Sequence, residues 1–389
     1  MRIVQAANFV GPTSGGIRTT LHALAESYVA HGHEPVRIVP GPRDHVRDSA
    51  AGIEFTVASP RLPGSGGYRI IVDPWRVERL LDRLRPDSVE LSDRLTLLPL
   101  GRWARRHQVR SVAISHERLD AVLAVHSPVL VPYRRAARVS ARALAEAVDV
   151  VICASEWAAA EYRSAGIEQV VVLPLGVDLE HFAPHRYDAR LRAALAADRP
   201  LVVLASRLSP EKRPELAVAA VERLARQGSP VQLVVAGDGP VRQRLTPHPT
   251  VTLLGHVADR ALYARLLASA DVALAPGPVE TFGLAALEAL ASGTPVLAAV
   301  TGGLAERLTY PAGATAYGHP AAVAAGVRHL LAGNRLAARR AARATAERFP
   351  WSATVAGLLA CHAGQPLPAD APPRVPPSRP AAAPVRRAA

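Results

Sequence analysis

Two stretches of this sequence contain the residue types from which an anion site could be built. The first, SRLSPEKRPE, holds Arg207 and Lys212, and Lys212 is the only lysine in a chain with 46 basic residues. Two cations in one loop could converge on a diphosphate, and a compact ammonium is not replaced by a planar guanidinium. Codon bias, or an ordinary solvated loop, would account for the same residues. The pair therefore predicts a phosphate site only if its neighbours support one.

The second stretch, PGPVETFGLAALEALASGTPV, carries Glu280 and Glu288. A helix that begins near Phe282 would place Glu280 just before its N-terminus and Glu288 about two turns inside, at 3.6 residues per turn. Amide groups around Gly283 would face an anion, because a helix N-terminus favours negative charge. One carboxylate could contact a neutral polyol and the other a ribose. Ordinary capping by an acid in the first turn is the alternative.

Two further motifs follow predicted strands. The loop GPTSGGIR, residues 11–18, leads into a helix expected to open at about Gly15, and its adjacent glycines would let backbone approach a phosphate. It is not GxGxxG, and no GxxxxGK[ST] occurs, so nicotinamide and ATP sites are disfavoured. His116 follows the strand SVAIS, at an end that should face a cleft. A plain tight turn and a structural histidine are the alternatives.

Alternating strands and helices must position these residues. Short apolar runs predict strands in both halves of the chain: MRIVQAAN, PVRIVP, SVELS, VRSVAIS, VDVVICAS and QVVVLPLG, then PLVVLASRL, VQLVVAGDG, VTLLGHV, ADVALAPG and TPVLAAV. Segments of helical period lie between them, among them IRTTLHALAESYVAHG, PWRVERLLDRL, PELAVAAVERLARQG and RALYARLLASA. Parallel βαβ units buried on both faces have this pattern. We therefore predict an α/β chain of two Rossmann-like domains, with the site at the carboxyl ends of strands.

The predicted boundaries follow from these two series and from composition. They are an N-terminal domain over residues 1–180, a linker over 181–199, a C-terminal domain over 200–348, a helix over 349–364 and a tail over 365–389. The tail is rich in Pro, Ala and Arg, which predicts disorder. A proline-rich motif for a partner is the alternative.

Charge and composition narrow the function classes. The formal net charge is +13, of which the last twenty residues carry about +3, so the rest favours anionic partners. Aromatic residues make up only 4% of the chain, and no RNA-binding or zinc motif occurs, so a nucleic-acid-binding protein is a distant alternative. Two cysteines without metal or disulfide spacing favour a reducing cytoplasm. We find no signal peptide and no apolar run long enough to span a bilayer. No Asp-x-Asp motif occurs that could hold a metal ion, so a metal-independent reaction is expected.

Taken together, the GG loop, the strand-end histidine, R-x4-K and E-x7-E resemble the retaining glycosyltransferases of family four, over residues 1–362. The strings ANFVGPTSGGIRT, LSDRLTL, ISHERLD, VLPLGVDLEHF and LLASADVALAPGPVETFGLAALEALASGTP are similar to those of mycobacterial phosphatidylinositol mannoside mannosyltransferases. The resemblance implies the GT-B fold, in which two Rossmann-like domains face a cleft and a C-terminal helix crosses back to the N-terminal domain.

The resemblance also implies roles for individual residues. Glu280 would contact the donor sugar, Glu288 the ribose and the residues from Gly255 to Val257 the base. The implied catalytic residues are His116, Arg207, Lys212 and Glu280. The implied donor-binding residues are Gly16, Arg207, Lys212, Val257, Glu280, Thr281, Phe282, Gly283, Leu284 and Glu288. The implied acceptor-binding residues are Arg18, Tyr68 and Arg69. No cofactor is implied, and a same-face displacement is the usual proposal for such enzymes.

The substrates implied by the resemblance are GDP-mannose and a phosphatidylinositol dimannoside, which would become the trimannoside, with an α-1,6 linkage. The expected partners are thus a nucleotide sugar, an anionic phosphoinositide glycolipid and the inner face of the cell membrane, without nucleic acid. Arginine clusters could form the basic face: Arg76, Arg79, Arg83 and Arg85; Arg102, Arg105, Arg106 and Arg110; Arg134, Arg135, Arg138 and Arg142. Solvated helix faces, and a family-four enzyme with another nucleotide sugar or another lipid or soluble acceptor, are the alternatives.

Overall fold

The computed structural model describes residues 1–11, 15–63, 65, 67–126, 132–245 and 248–369. Within them the chain divides into two units, one formed by residues 1–175 with 351–369 and the other by residues 176–350. The stretch predicted as a linker, 181–199, contains a helix and belongs to the second unit. Residues 370–389, most of the predicted tail, lie outside the described residues.

An eight-stranded sheet forms the centre of the first unit, in the order β3-β4-β2-β1-β5-β6-β7-β8. Its strands are Arg2–Ala6 (β1), Glu34–Gly41 (β2), His45–Arg47 (β3), Ile53–Ala58 (β4), Ser88–Leu91 (β5), Arg110–Ser115 (β6), Val150–Cys153 (β7) and Val170–Val172 (β8). Its helices are Gly16–Ala30 (α1), Pro74–Leu84 (α2), Leu98–Arg106 (α3), Leu119–His126 (α4), Tyr133–Ala147 (α5) and Glu156–Ser164 (α6). The sheet is parallel except at one edge, where β3 pairs antiparallel with β4.

A six-stranded parallel sheet forms the centre of the second unit, in the order β11-β10-β9-β12-β13-β14. Its strands are Leu201–Ala205 (β9), Gln232–Ala236 (β10), Val251–Gly255 (β11), Val272–Ala275 (β12), Val296–Ala299 (β13) and Gly313–Ala316 (β14). Its helices are Ala189–Ala196 (α7), Pro214–Arg226 (α8), Arg260–Ser269 (α9), Leu284–Ala291 (α10), Pro320–Ala332 (α11) and Arg335–Glu347 (α12). The strands read as near-continuous apolar runs because helices cover both faces of the sheet.

The last described helix, Trp351–His362 (α13), belongs to the first unit although it follows the second in the chain. Val355 and Leu358 pack with Ile3, Leu24 and other residues in one apolar cluster. At its end His362 is fully buried, with Nδ1 2.7 Å from Ser88 Oγ and Nε2 3.2 Å from the Glu90 carboxylate. Because a buried polar group is costly unless it is hydrogen bonded, these contacts favour one docked position for the helix.

Candidate active site

The loops after β9 and β12 meet where the strand order of the second sheet reverses. These two strands are neighbours, while β10 continues on one side and β13 on the other. Such a switch point leaves a crevice at the carboxyl ends of parallel strands. The loops are in close contact, since a Cβ on Gly277 would lie 2.7 Å from the carbonyl oxygen of Glu211. Glycine at this position thus permits the approach of the two loops.

This contact brings the predicted lysine and the first predicted carboxylate together. Lys212 ends a short 3-10 turn, and its Nζ lies 2.5 Å from Glu280 Oε1. The two side chains keep 28% and 18% of their surface exposed, so the pair is partly desolvated but open to a ligand. Arg207 lies earlier in the same loop, partly buried, in a turn in which its carbonyl accepts the N–H of Ser209.

The helix after Glu280 begins later than the sequence predicts. Gly283 is its N-cap, with φ at 81°, so α10 starts at Leu284 rather than near Phe282. The left-handed backbone that glycine adopts cannot continue a right-handed helix, and this sets the start. Glu288 therefore lies about one turn inside the helix, not two. Glu280 is outside it, and the first turn of the helix contains no acidic residue, so the capping alternative for Glu280 is wrong.

The backbone of Glu280 is held by a segment that sequence reasoning missed. The amide of Gly303 donates to the Glu280 carbonyl at 2.6 Å, and Thr301 Oγ1 donates to the Pro278 carbonyl at 3.0 Å. Both donors follow β13, the strand next to β12. The motif TGG after an apolar strand was the available signal. These bonds leave the side chain of Glu280 as the part of the residue that meets Lys212.

Glu288 has a partner that the sequence did not indicate. Tyr263, on α9, donates its hydroxyl to Glu288 Oε2 at 3.0 Å. Burial raises the pKa of the Glu288 carboxyl to about 7, against the hydrogen bond from Tyr263, which lowers it. Burial and then the nearby carboxylate hold the pKa of Tyr263 well above its usual range. The ionised fraction of Glu288, which is the form that accepts hydrogen bonds on both oxygens, therefore rises as the pH passes through neutrality.

Phe282 is anchored in the core by an arginine that sequence reasoning also missed. Its ring is 3% exposed, with the Arg307 guanidinium carbon 4.3 Å from the ring centroid. The same guanidinium lies 5.5 Å from the ring of Phe349 and donates to the Gly303 carbonyl at 2.5 Å. Burial lowers the pKa of Arg307 to about 10, so it stays charged at neutral pH. Because the Phe282 side chain is buried, only its backbone can serve as the predicted donor contact.

Three other predicted donor residues belong to the second unit. Thr281 and Leu284 flank the turn at Gly283 and are partly buried. Val257 follows β11 and is also partly buried. The carbonyl of Gly255 accepts the amide of Gly237 at 2.7 Å. That carbonyl is therefore already used, and Val257 is the less buried of the two residues.

In the first unit the loops after β1, β5 and β6 are joined by side chains. Asn8 donates to Thr96 Oγ1 at 2.8 Å and accepts the Ile71 amide, also at 2.8 Å. His116 Nε2 lies 2.9 Å from Ser92 Oγ. Burial lowers the pKa of His116 to about 4. The imidazole is therefore neutral at physiological pH and acts as a hydrogen-bonding group, not as a cation.

A buried ion pair orders the loop that carries His116. Arg94 bonds both carboxylate oxygens of Glu161 at 3.1 Å and also donates to the Glu117 carbonyl at 2.6 Å. Glu161 in turn accepts the amides of Leu119 and Asp120, at 3.1 and 3.3 Å. The backbone that follows His116 is thus held in place. Arg94 lies in the LSDR string that supported the family resemblance, but nothing in the sequence indicated its ion pair with Glu161.

The predicted phosphate loop is only partly described, because residues 12–14 lie outside the described residues. Gly15 is the N-cap of α1 and Gly16 its first residue, so the predicted helix start is correct. Arg18, one of the predicted acceptor residues, is exposed in the first turn. The N-cap residue Gly15 has no side chain with which to cap the first amides of this helix.

The other two predicted acceptor residues are in different situations. The Tyr68 ring packs against Phe9, with centroids 6.0 Å apart, and would contact a Cβ on Gly11 at 3.7 Å. Tyr68 thus lies beside the start of the glycine loop. Arg69 donates to the Ser59 carbonyl at 2.5 Å. One nitrogen of its guanidinium is therefore occupied by a hydrogen bond within the protein.

Several of the clustered arginines are also structural. Arg105 donates to the Glu146 carbonyl, Arg110 to that of Cys361 at 3.1 Å and Arg142 to that of Ala165 at 2.9 Å. These three guanidinium groups are therefore partly occupied by structural hydrogen bonds. Among the described residues, no helix is long and apolar enough to cross a bilayer, and no group of acidic, His and Cys side chains could hold a metal ion.

Comparison with known proteins matches both units. Residues 14–181 match the family described as Glycosyltransferase Family 4, and residues 188–347 match Glycosyl transferases group 1. A GDP-mannose-dependent alpha-(1-6)-phosphatidylinositol dimannoside mannosyltransferase of Mycobacterium tuberculosis is 44% identical over 92% of this chain and 95% of its own. A GDP-mannose-dependent alpha-mannosyltransferase of Mycolicibacterium smegmatis is 32% identical over 78% of this chain and 80% of its own.

Solved structures show the same fold at low identity. Sucrose-phosphate synthase from Thermosynechococcus elongatus aligns with a TM-score of 0.78 and 22% identity, over 93% of this chain and 98% of its own. Anabaena HepE, in complex with UDP and glucose, aligns with a TM-score of 0.72 and 19% identity, over 92% of this chain and 98% of its own. These likenesses confirm the predicted GT-B fold class. The chain belongs to the family-four glycosyltransferases.

Proposed function

We propose that this glycosyltransferase moves mannose from GDP-mannose to a phosphatidylinositol dimannoside and forms the trimannoside through an α-1,6 linkage. One observation carries the chemistry: the Lys212–Glu280 pair at the strand switch point, beside the open N-terminus of α10. A cation, a carboxylate and the first amides of a helix together fit a sugar diphosphate. The identity to the M. tuberculosis relative supports the choice of donor and acceptor.

In this proposal the second unit binds the donor. Lys212 and Arg207 contact the diphosphate, and the first amides of α10 contribute the partial positive charge of a helix N-terminus. Glu280 accepts hydrogen bonds from hydroxyls of the sugar, and Glu288 accepts hydrogen bonds from those of the ribose. Transfer then needs little from the protein beyond positioning and stabilisation of the leaving diphosphate.

Configuration would be retained by displacement on one face of the sugar. The acceptor hydroxyl attacks the anomeric carbon as the bond to the diphosphate oxygen breaks, and the departing phosphate takes the hydroxyl proton. The neutral imidazole of His116 orients the transferred sugar in this scheme. We also propose that no metal takes part, because Lys212 and Arg207 supply charge to the diphosphate. Full activity in excess chelator is expected, and strict dependence on a divalent ion would contradict this part of the proposal.

The first unit would meet the acceptor lipid at a membrane surface through α2. Trp75 is 56% exposed, and Arg79 and Arg83 are exposed on the same helix. The acids of this helix face other partners, since Glu78 lies 3.6 Å from Arg106 and Asp82 accepts the indole N–H of Trp103 at 2.8 Å. An indole beside free guanidinium groups suits an anionic interface, where each cation contributes about 1 kcal/mol. Arg76 contributes less, because it pairs with Asp44 at 2.6 Å.

A direct assay tests the proposal. Purified protein is incubated with GDP-mannose, UDP-glucose and other nucleotide sugars, together with a phosphatidylinositol dimannoside or a lipid extract, and the products are read by mass spectrometry. We expect one added hexose on the dimannoside with GDP-mannose only. Transfer from another donor, or to another acceptor alone, would refute the assignment of substrates while leaving the site intact.

A soluble acceptor is the second candidate, and a specific observation favours it. A D-inositol 3-phosphate glycosyltransferase of Xylanimonas cellulosilytica is 35% identical over 51% of this chain and 52% of its own. The same panel, supplied with inositol phosphates in place of lipid, distinguishes the two. Product formed without lipid would favour the soluble acceptor.

A further inference from the structure

The side chain of Tyr263 is placed to act on the donor site through Glu288. Its hydroxyl donates to Oε2 of that carboxylate at 3.0 Å, from the neighbouring helix α9. The ring direction is set by Phe182, which packs edge-on with centroids 5.9 Å apart and an interplanar angle of 89°. The hydroxyl is thus held on the carboxylate by packing and not only by its own hydrogen bond.

This hydrogen bond has a chemical consequence for the carboxylate. Donation to Oε2 orients the carboxylate plane and leaves Oε1 to accept from a ligand. It also favours the ionised form, as Arg260 does, whereas burial and Asp178 favour the protonated one. Arg260 is itself paired with Asp178 at 3.4 Å, so the hydroxyl contributes ionised character that the arginine alone does not.

We propose that Tyr263 is a positioning residue for the nucleoside diphosphate: it holds Glu288 as an oriented, ionised acceptor for the ribose 2′-hydroxyl. This inference rests on the proposed donor site. Tyr263 does not itself touch the nucleotide in this scheme. Its removal should weaken ribose recognition and leave the transfer step almost unchanged.

The test is a coupling experiment on the full chain. Calorimetry measures the affinity of GDP and of 2′-deoxy-GDP for the wild type, Tyr263→Phe, Glu288→Gln and the double variant. We expect Tyr263→Phe to weaken GDP binding about tenfold, as loss of one hydrogen bond to a charged group does. The same change should cost 2′-deoxy-GDP little, and nothing further on the Glu288→Gln background. In kinetics the KM for the donor should rise while kcat holds.

The controls distinguish a positioning role of Tyr263 from a general effect on folding. Tyr187→Phe removes the hydroxyl of an exposed tyrosine in the same unit and should leave binding unchanged. Equal losses for GDP and 2′-deoxy-GDP in Tyr263→Phe, or no loss at all, would overturn the proposal, since a general structural role does not distinguish the two ligands. If the wild type binds UDP but not GDP, the donor assignment fails while the pair UDP and 2′-deoxy-UDP still decides the role of Tyr263. If no nucleoside diphosphate binds, both are wrong.

Discussion

Replacement of Lys212 by alanine is the sharpest test of the site. Its Nζ lies 2.5 Å from Glu280, so the change removes a cation from the loop and leaves a partly buried carboxylate without that partner. If the ammonium stabilises the leaving diphosphate, kcat/KM should fall ~10²–10³-fold, or about 3–4 kcal/mol, as for the loss of one preorganised donor.

The effect on folding should be much smaller. Both side chains retain some solvent exposure, so the pair contributes on the order of 1 kcal/mol to the free energy of unfolding. That corresponds to a fall in Tm of about 2–4 °C for a unit of the size of residues 176–350. Steady-state rates with GDP-mannose, calorimetry with GDP and a thermal melt of the same sample measure the three quantities.

Two further variants control this experiment. Arg226→Ala removes one exposed cation from the end of α8, in the same unit, and should keep full activity. Lys212→Arg should restore the charge but only part of the rate, because the guanidinium is larger and planar. Near-wild-type turnover of Lys212→Ala would refute the reasoning, and the single lysine would then have the codon-bias explanation.

Three other predictions follow from the same structure. Arg79→Gln with Arg83→Gln should reduce sedimentation with phosphatidylinositol liposomes at low salt without changing GDP affinity; unchanged sedimentation would place the membrane face elsewhere. Because burial raises the pKa of Glu288 to about 7, its proton is lost through neutrality, so GDP affinity should rise from pH 6 to 8, and this rise should vanish in Glu288→Gln. Glu161→Gln leaves Arg94 buried without its ion pair and should cost about 3–5 kcal/mol in chemical denaturation; an unchanged midpoint would show that the pair does not order the His116 loop.

The sequence alone determined the fold class and most of the strands. Runs such as VQLVVAGDG and ADVALAPG are apolar throughout because both faces of the sheet are covered, and that pattern is local. It also indicated the family, because the string around Glu280 and Glu288 resembles that of family-four glycosyltransferases, and the comparisons confirm the family. The edge strand β3 escaped prediction, since its three residues are all exposed and carry no apolar pattern.

The tertiary structure decided which residues act together. Lys212 and Glu280 are far apart in the chain and meet only because β9 and β12 are adjacent in the sheet. The start of α10 depended on the left-handed backbone conformation of Gly283, which a glycine permits but does not require. Nothing in the helical string RALYARLLASA distinguished Tyr263. Its proposed role depends on the packing of α9, which brings its hydroxyl to Glu288. Strand order and helix packing set such long-range pairs, and neither is written in local periodicity.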